Sequence, residues 1–137
     1  MTAGPQQEVA YAVVEARTDT QRMWVDQYGV LHASPDPGVH ISAADARAAV
    51  DLGWELKEHH ICSVIVDLRH IRSMDRDARA YYAGPEVTAR TFGAALLVGN
   101  PLTRAVGNLF LGLNKAAHPL RLFPDDFSAV AWCRTLG

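Results

Sequence analysis

The chain has 137 residues, 49% of them hydrophobic and 20% charged, with a formal net charge of −2 and a pI near 6.3. That length suits one domain able to bury about two-thirds of its unfolded surface, and the balanced charge excludes a nucleic-acid surface built on excess Lys and Arg. Cys62 and Cys133 lie far apart and outside any CxxC pair, which argues for buried thiols in a reducing cytoplasm and against a disulfide or a zinc site.

Residues 1–8 read as a disordered lead without the charged and apolar regions of a signal peptide. No apolar run approaches the ~20 residues that span a bilayer, so a soluble, cytoplasmic chain is expected. Residues 9–17 (VAYAVVEAR) predict the first strand, and residues 18–22 a turn. Segments 23–25 and 30–33 flank a bend at Tyr28-Gly29. The run SPDPG at 34–38 reads as irregular, because Pro35 and Pro37 remove donors and fix φ. Ser42 is predicted to cap a helix reaching about Lys57, with Asp45 completing a capping box. Ala46, Ala49, Val50, Gly53, Trp54 and Leu56 supply its inner stripe.

The β-branched run CSVIVDL at 62–68 predicts a buried strand. Asp75 is placed to cap a helix through about Ala83, which Gly84-Pro85 interrupts. Residues 92–98 predict the next strand. A helix follows from Pro101 to about Lys115, capped by Asn100 and opened by proline at its first position. LRLF at 120–123 predicts a last strand. Pro124 and Asp125 open a final helix expected to bury Phe127, Val130, Ala131 and Cys133. The order β-β-α-β-α-β-α-β-α is that of an α/β domain. It predicts about five strands in a mixed, mostly parallel sheet, the first hairpin attached antiparallel, and about four helices.

Two clusters carry the candidate sites. Arg69, His70, Arg72, Asp75, Arg76 and Asp77 follow a buried strand, where open α/β sheets form their ligand crevice. They could hold an anion or an acidic partner, or, with Arg79, form a self-paired charged surface at helical spacing. Asp67 is expected to bond loop amides. The second cluster is the helix at 101–115. Leu102, Val106, Leu109, Phe110 and Leu113 are expected to face the sheet, leaving Leu111, Ala105 and Gly112 on the other side. Arg104 and Asn108, one turn apart, would form the rim. Gly107 and Gly112 each cost about 1 kcal/mol in a helix interior, which suggests that another backbone, a ligand or a partner comes close. Arg104, Gly107, Asn108, Phe110, Leu111 and Gly112 are therefore the candidate binding or interface residues.

Nothing in the chain points to a metal or a cofactor. His59-His60 diverge on either a helix or a strand, and His32 and His40 flank the proline-rich loop singly. Tyr81-Tyr82 are expected to divide into one core ring and one exposed ring. There is no GxSxG elbow, Cys62 falls in a buried strand, and Gly107 and Gly112 lie inside a helix rather than in a phosphate-binding loop.

The stretch VIVDLRHIRSMDRDAR at 64–79, set in this order of elements, resembles the STAS domain, the fold of bacterial anti-sigma-factor antagonists. The run ALLVGNPLTRAVGNLFLGLNK at 95–115, followed by PLRLF, resembles small bacterial proteins described as STAS/SEC14-like. The resemblance covers residues 9–136 and implies one STAS-like domain over 9–137. Phospho-regulated members carry an Asp-Ser-Ser-Gly-like motif whose second serine is modified. Here the matching stretch is Asp75-Arg76-Asp77-Ala78, so Asp77 stands at the acceptor position and Ser73 lies out of register.

The resemblance implies a non-catalytic module acting through a protein partner or self-association; the charge balance and the short apolar runs argue against nucleic acid and membrane insertion. An alternative is a carrier of a small apolar ligand, in a pocket lined by residues such as Phe110, Leu113 and Trp54. A third is an enzyme on a bound metabolite using Asp67, Asp77 or His70.

Overall fold

Two side-chain-closed turns shape the first part of the sheet. In the computed structural model, which describes residues 15–113 and 118–137, β1 (Glu15–Arg17), β2 (Gln21–Val25) and β3 (Leu31–Pro35) form an antiparallel meander. Residues 9–14 of the expected first strand lie outside the described residues, as do 114–117 at the expected end of the long helix, and so does the Leu113 side chain. The Thr18 hydroxyl accepts from the Thr20 and Gln21 amides at 3.2 and 3.1 Å. At the second turn the Asp26 carboxylate accepts from the Tyr28 and Val30 amides at 2.8 and 3.1 Å. Gly29 there takes a φ of +80°, a conformation costly for other residues.

Two expectations need correction here. More than two strands precede the first helix, because the segments either side of Gly29 pair with each other while β1 adds a third. The SPDPG run is not wholly irregular either. Pro35 ends β3 opposite Gln21, at a strand end where a missing donor is tolerated.

After the two-residue β4 (His40–Ile41) comes α1 (Ala43–Leu56), with the expected capping box. The Asp45 amide donates to the Ser42 hydroxyl at 3.1 Å, and the Ser42 amide to the Asp45 carboxylate at 2.9 Å. Then follow β5 (Cys62–Asp67), the two-residue β6 (Ser73–Met74), α2 (Arg76–Tyr82), the single-turn α3 (Pro85–Thr88) and β7 (Thr91–Leu97). The chain closes with α4 (Pro101–Leu113), β8 (Leu120–Phe123) and α5 (Asp126–Cys133). The main sheet has the order β1-β2-β3-β5-β7-β8, parallel from β3 onward, and β4 pairs with β6 in a small parallel ladder. This is the expected α/β architecture with six strands in place of about five and an extra turn of helix after Gly84.

Strand alternation divides the core between two faces. Leu96 and Val98 pack with Ala46 of α1, Ala78 of α2, and Val106 and Phe110 of α4. Ile65, Ala95 and Leu97 point the other way, onto Ala129 and Cys133 of α5. That packing sets the phase of α5 and overturns one expectation. Residues 129 and 133, four apart, face the sheet, so Phe127 is turned out and is 86% exposed, and Ala131 is exposed as well. The Trp54 ring is only half-buried, stacked on His59 and beneath the Arg90 guanidinium.

Candidate interaction surface

The orientation of α4 is decided at its first turn. The Thr103 amide donates to the Asn100 side-chain carbonyl at 2.9 Å, the expected cap. In return the Thr103 hydroxyl accepts from the Gly99 and Asn100 amides at 3.0 and 3.1 Å, and this side chain is fully buried. With Thr103 inward, Val106, Gly107 and Phe110 follow it onto the sheet. A Cβ on Gly107 would come within 2.9 Å of the Leu122 side chain, so the glycine lets the helix lie close against β7 and β8. Gly112 meets nothing within 4 Å.

The same phase corrects the expected facing of two leucines. Leu102 and Leu109 do not face the sheet; they are 54% and 50% exposed. At about 100° per residue, positions 102, 105, 109 and 112 fall in one narrow outward stripe of Leu, Ala, Leu and Gly. Leu111, 40% exposed, lies across Arg104 and Asn108 on the far flank. Of the six candidate interface residues, Arg104, Asn108, Leu111 and Gly112 are thus on the surface. Gly107 and Phe110 are packed inward, because the Thr103 anchor turns them onto the sheet. A seven-residue repeat in the sequence, Leu102 to Leu109 and Ala105 to Gly112, was the signal that would have found the outer stripe.

The charged cluster is split by the fold. Arg69 turns toward α5, forming two bonds of 2.9 Å to the Asp67 carboxylate and a 3.5 Å contact with Asp126. The Arg69 amide also donates to Asp67, as expected of a carboxylate that bonds its loop. Burial works to raise the Asp67 pKa, but the Arg69 side chain and amide outweigh it and hold the carboxyl below the usual range. His70, Arg72, Arg76 and Asp77 are exposed.

Among the described residues no ion pair joins Arg72, Arg76 or Arg79 to Asp75 or Asp77, contrary to the self-paired surface considered above. The competing partners explain it. Arg79 donates to the Met74 carbonyl at 2.8 Å, and Asp75 is held by His40 at 2.9 Å instead of capping α2. Arg76 and Arg79 run alongside α4. With Ala80, Asn108, Leu109 and Gly112 they line an open groove of about 480 Å³, which joins part of the charged loop to the apolar stripe.

The other singled-out residues have local roles. His32 Nε2 donates to the Asp26 carboxylate at 2.8 Å, and the ring stacks on Trp24. His59 meets Glu55 at 2.8 Å while His60 contacts the Lys57 carbonyl at 3.2 Å, so the two rings diverge. Tyr82 packs on Phe110, and burial pushes its phenol up to about 12; Tyr81 reaches Glu86 at 2.9 Å on the exposed side. Among the described residues no His, Cys, Asp and Glu cluster could hold a metal ion. No described helix is long and apolar enough to cross a membrane. An apolar cavity of about 50 Å³ lies between the sheet and α2–α4, lined by residues including Val66, Tyr82, Leu96 and Phe110.

A family model described as "Domain of unknown function (DUF7793)" matches residues 23–136. The chain belongs to the DUF7793 family. No curated protein matches it. Among solved structures it is similar to an uncharacterized DUF3478-family protein from Shewanella loihica PV-4, described as having a SpoIIAA-like fold. The identity is 11%, with 89% of this chain and 92% of that chain covered at a TM-score of 0.54. The DUF7793 chain therefore has the SpoIIAA-like, or STAS-like, fold that its sequence resembles. At that identity the likeness concerns the fold alone.

Proposed function

We propose that this DUF7793 chain is a non-catalytic, cytoplasmic interaction module that pairs with a second copy of itself through the outer face of α4. The carrying observation is the exposed stripe Leu102, Ala105, Leu109 and Gly112, in which large and small residues alternate at heptad spacing. An antiparallel helix pair about a two-fold axis sets each leucine against the partner's alanine or glycine, so the stripe is complementary to itself. Arg76 and Arg79, which line the groove, offer positive charge to an acidic side chain of a symmetry mate.

The energetics set the strength. Full burial of one leucine from water contributes about 1.5–3 kcal/mol; Leu102 and Leu109 are already half-buried, so two per copy give roughly 3–6 kcal/mol in the dimer. Association costs about 4–15 kcal/mol. A contact confined to this face is therefore concentration-dependent, not obligate.

Native mass spectrometry and sedimentation over a concentration series test the reading. A reversible dimer is expected, lost in Leu109→Glu and weakened in Leu111→Glu, with an unchanged circular dichroism spectrum because both side chains are exposed. A chain that stays monomeric at every concentration sinks self-association and points to a different protein partner on the same face. A small molecule that leaves on denaturation would instead support the carrier reading. The apolar cavity between the sheet and α2–α4 argues against that outcome, since at about 50 Å³ it is smaller than the ~150 Å³ that admits benzene. Trp54 is also absent from its lining.

A further inference from the structure

Away from α4, the ladder between β4 and β6 brings a serine, a histidine and a carboxylate together. His40 and Ser73 are direct partners in that ladder. Ser73 and Asp75, two apart in extended chain, project to one side, while Met74 between them is buried on the other. The His40 ring spans the pair. Its Nδ1 lies 2.5 Å from the Ser73 hydroxyl and its Nε2 2.9 Å from the Asp75 carboxylate. A carboxylate only accepts, so in the neutral ring the proton sits on Nε2 and Nδ1 presents its lone pair to Ser73 Oγ. This is the hydrogen-bond order of a serine nucleophile, its base and the group that orients the base, with the two ring nitrogens exchanged.

The trio is not needed to join the two strands. The backbone does that already, through Arg72 N to Val39 O and Asp75 N to Ile41 O, both 2.8 Å. Asp75 also gives up its local role. It occupies the N-cap position of α2 yet makes no side-chain cap, forgoing an interaction typically worth ~1 kcal/mol. A residue that breaks its local rule to orient a histidine marks a functional site more often than a structural one. The His40 and Asp75 side chains are 36% and 45% exposed and Ser73 is half-buried, so the trio lies at the surface.

We propose that Ser73 is a reactive nucleophile that takes an acyl group from small activated carboxylic esters. Ser73 Oγ bonds to the ester carbonyl carbon and its proton passes to His40 Nδ1. The bond from that carbon to the leaving oxygen breaks, and the leaving oxygen takes the proton back from His40. The products are acyl-Ser73 and a free alcohol or phenol. Asp75 is a positioning residue that fixes the ring and its tautomer.

The test uses the full chain and p-nitrophenyl acetate, following nitrophenol release and locating the acetyl group by peptide mass spectrometry. Acetylation at Ser73 is expected at least ~100-fold faster than at Ser or Thr side chains in the same chain unfolded in denaturant, the usual gain from a placed base. His40→Gln should remove most of that gain, and Asp75→Asn should reduce it while leaving the modified position the same. Native protein that is not acetylated at Ser73, or is acetylated no faster than the unfolded chain, overturns the proposal without reference to any variant. A rate at Ser73 that His40→Gln leaves unchanged, with the fold intact by circular dichroism, overturns it as well.

Discussion

Helices α4 and α5 begin alike and end differently. Each is opened by a polar cap that accepts the amide three residues on, Asn100 for Thr103 and Asp125 for Ser128. Each is more apolar than one buried face requires. On α5 the excess is a large side chain at the first turn, Phe127, exposed next to acidic residues. On α4 the excess is ordered, with Leu102 and Leu109 seven apart and small residues between and beyond them. Exposure alone therefore does not distinguish a docking face; periodicity does, because only a repeating stripe can meet a second helix along its length.

The largest effect expected within α4 comes from its inner side. Phe110→Ala should cost about 3–5 kcal/mol of folding stability in thermal or denaturant unfolding. The two glycines come next and should move in opposite directions. Gly107→Ala drives a Cβ to 2.9 Å from Leu122 and should destabilise by about 1–3 kcal/mol. Gly112→Ala has open space and should stabilise by about 0.5–1 kcal/mol through helix propensity. Equal effects at both sites would mean that α4 does not sit in the phase described.

The smallest effect separates the caps. Hydrogen bonds from the Ser128 amide and hydroxyl hold the Asp125 carboxyl below its ordinary pKa. A lowered folded value stabilises above the unfolded pKa of ~3.9 and is lost as pH falls through the folded one. Protection of the amides at the start of α5, measured against their intrinsic exchange rates, should therefore fall as the pH drops below ~4, while the neutral cap of α4 shows no such limb. Asp125→Asn should abolish the difference.

Much of this was legible in the residues. The capping box at Ser42 and Asp45, the Asn100-Pro101 start, and the strands at 62–67 and 120–123 are local features, written in side chains that act on their own backbone. The α/β order follows from their alternation. The sites were less legible. The sequence shows that α4 has more apolar residues than one face can use, but not which of them face out. That depended on Thr103, a polar residue buried by its bonds to the preceding loop, and on Leu122 of the following strand, which packs against Gly107.

Local chemistry therefore determined where helices and strands begin, and that the fold is α/β. Tertiary packing decided the rotation of each helix about its axis, sending Leu102, Leu109 and Phe127 outward against expectation. It also decided which charges meet, drawing Asp75 to His40 and Arg69 to Asp126. The physical reason is range. A cap or a turn is fixed by atoms within a few residues, whereas a helix's phase and a side chain's partner are fixed by whichever distant surface the folded sheet presents.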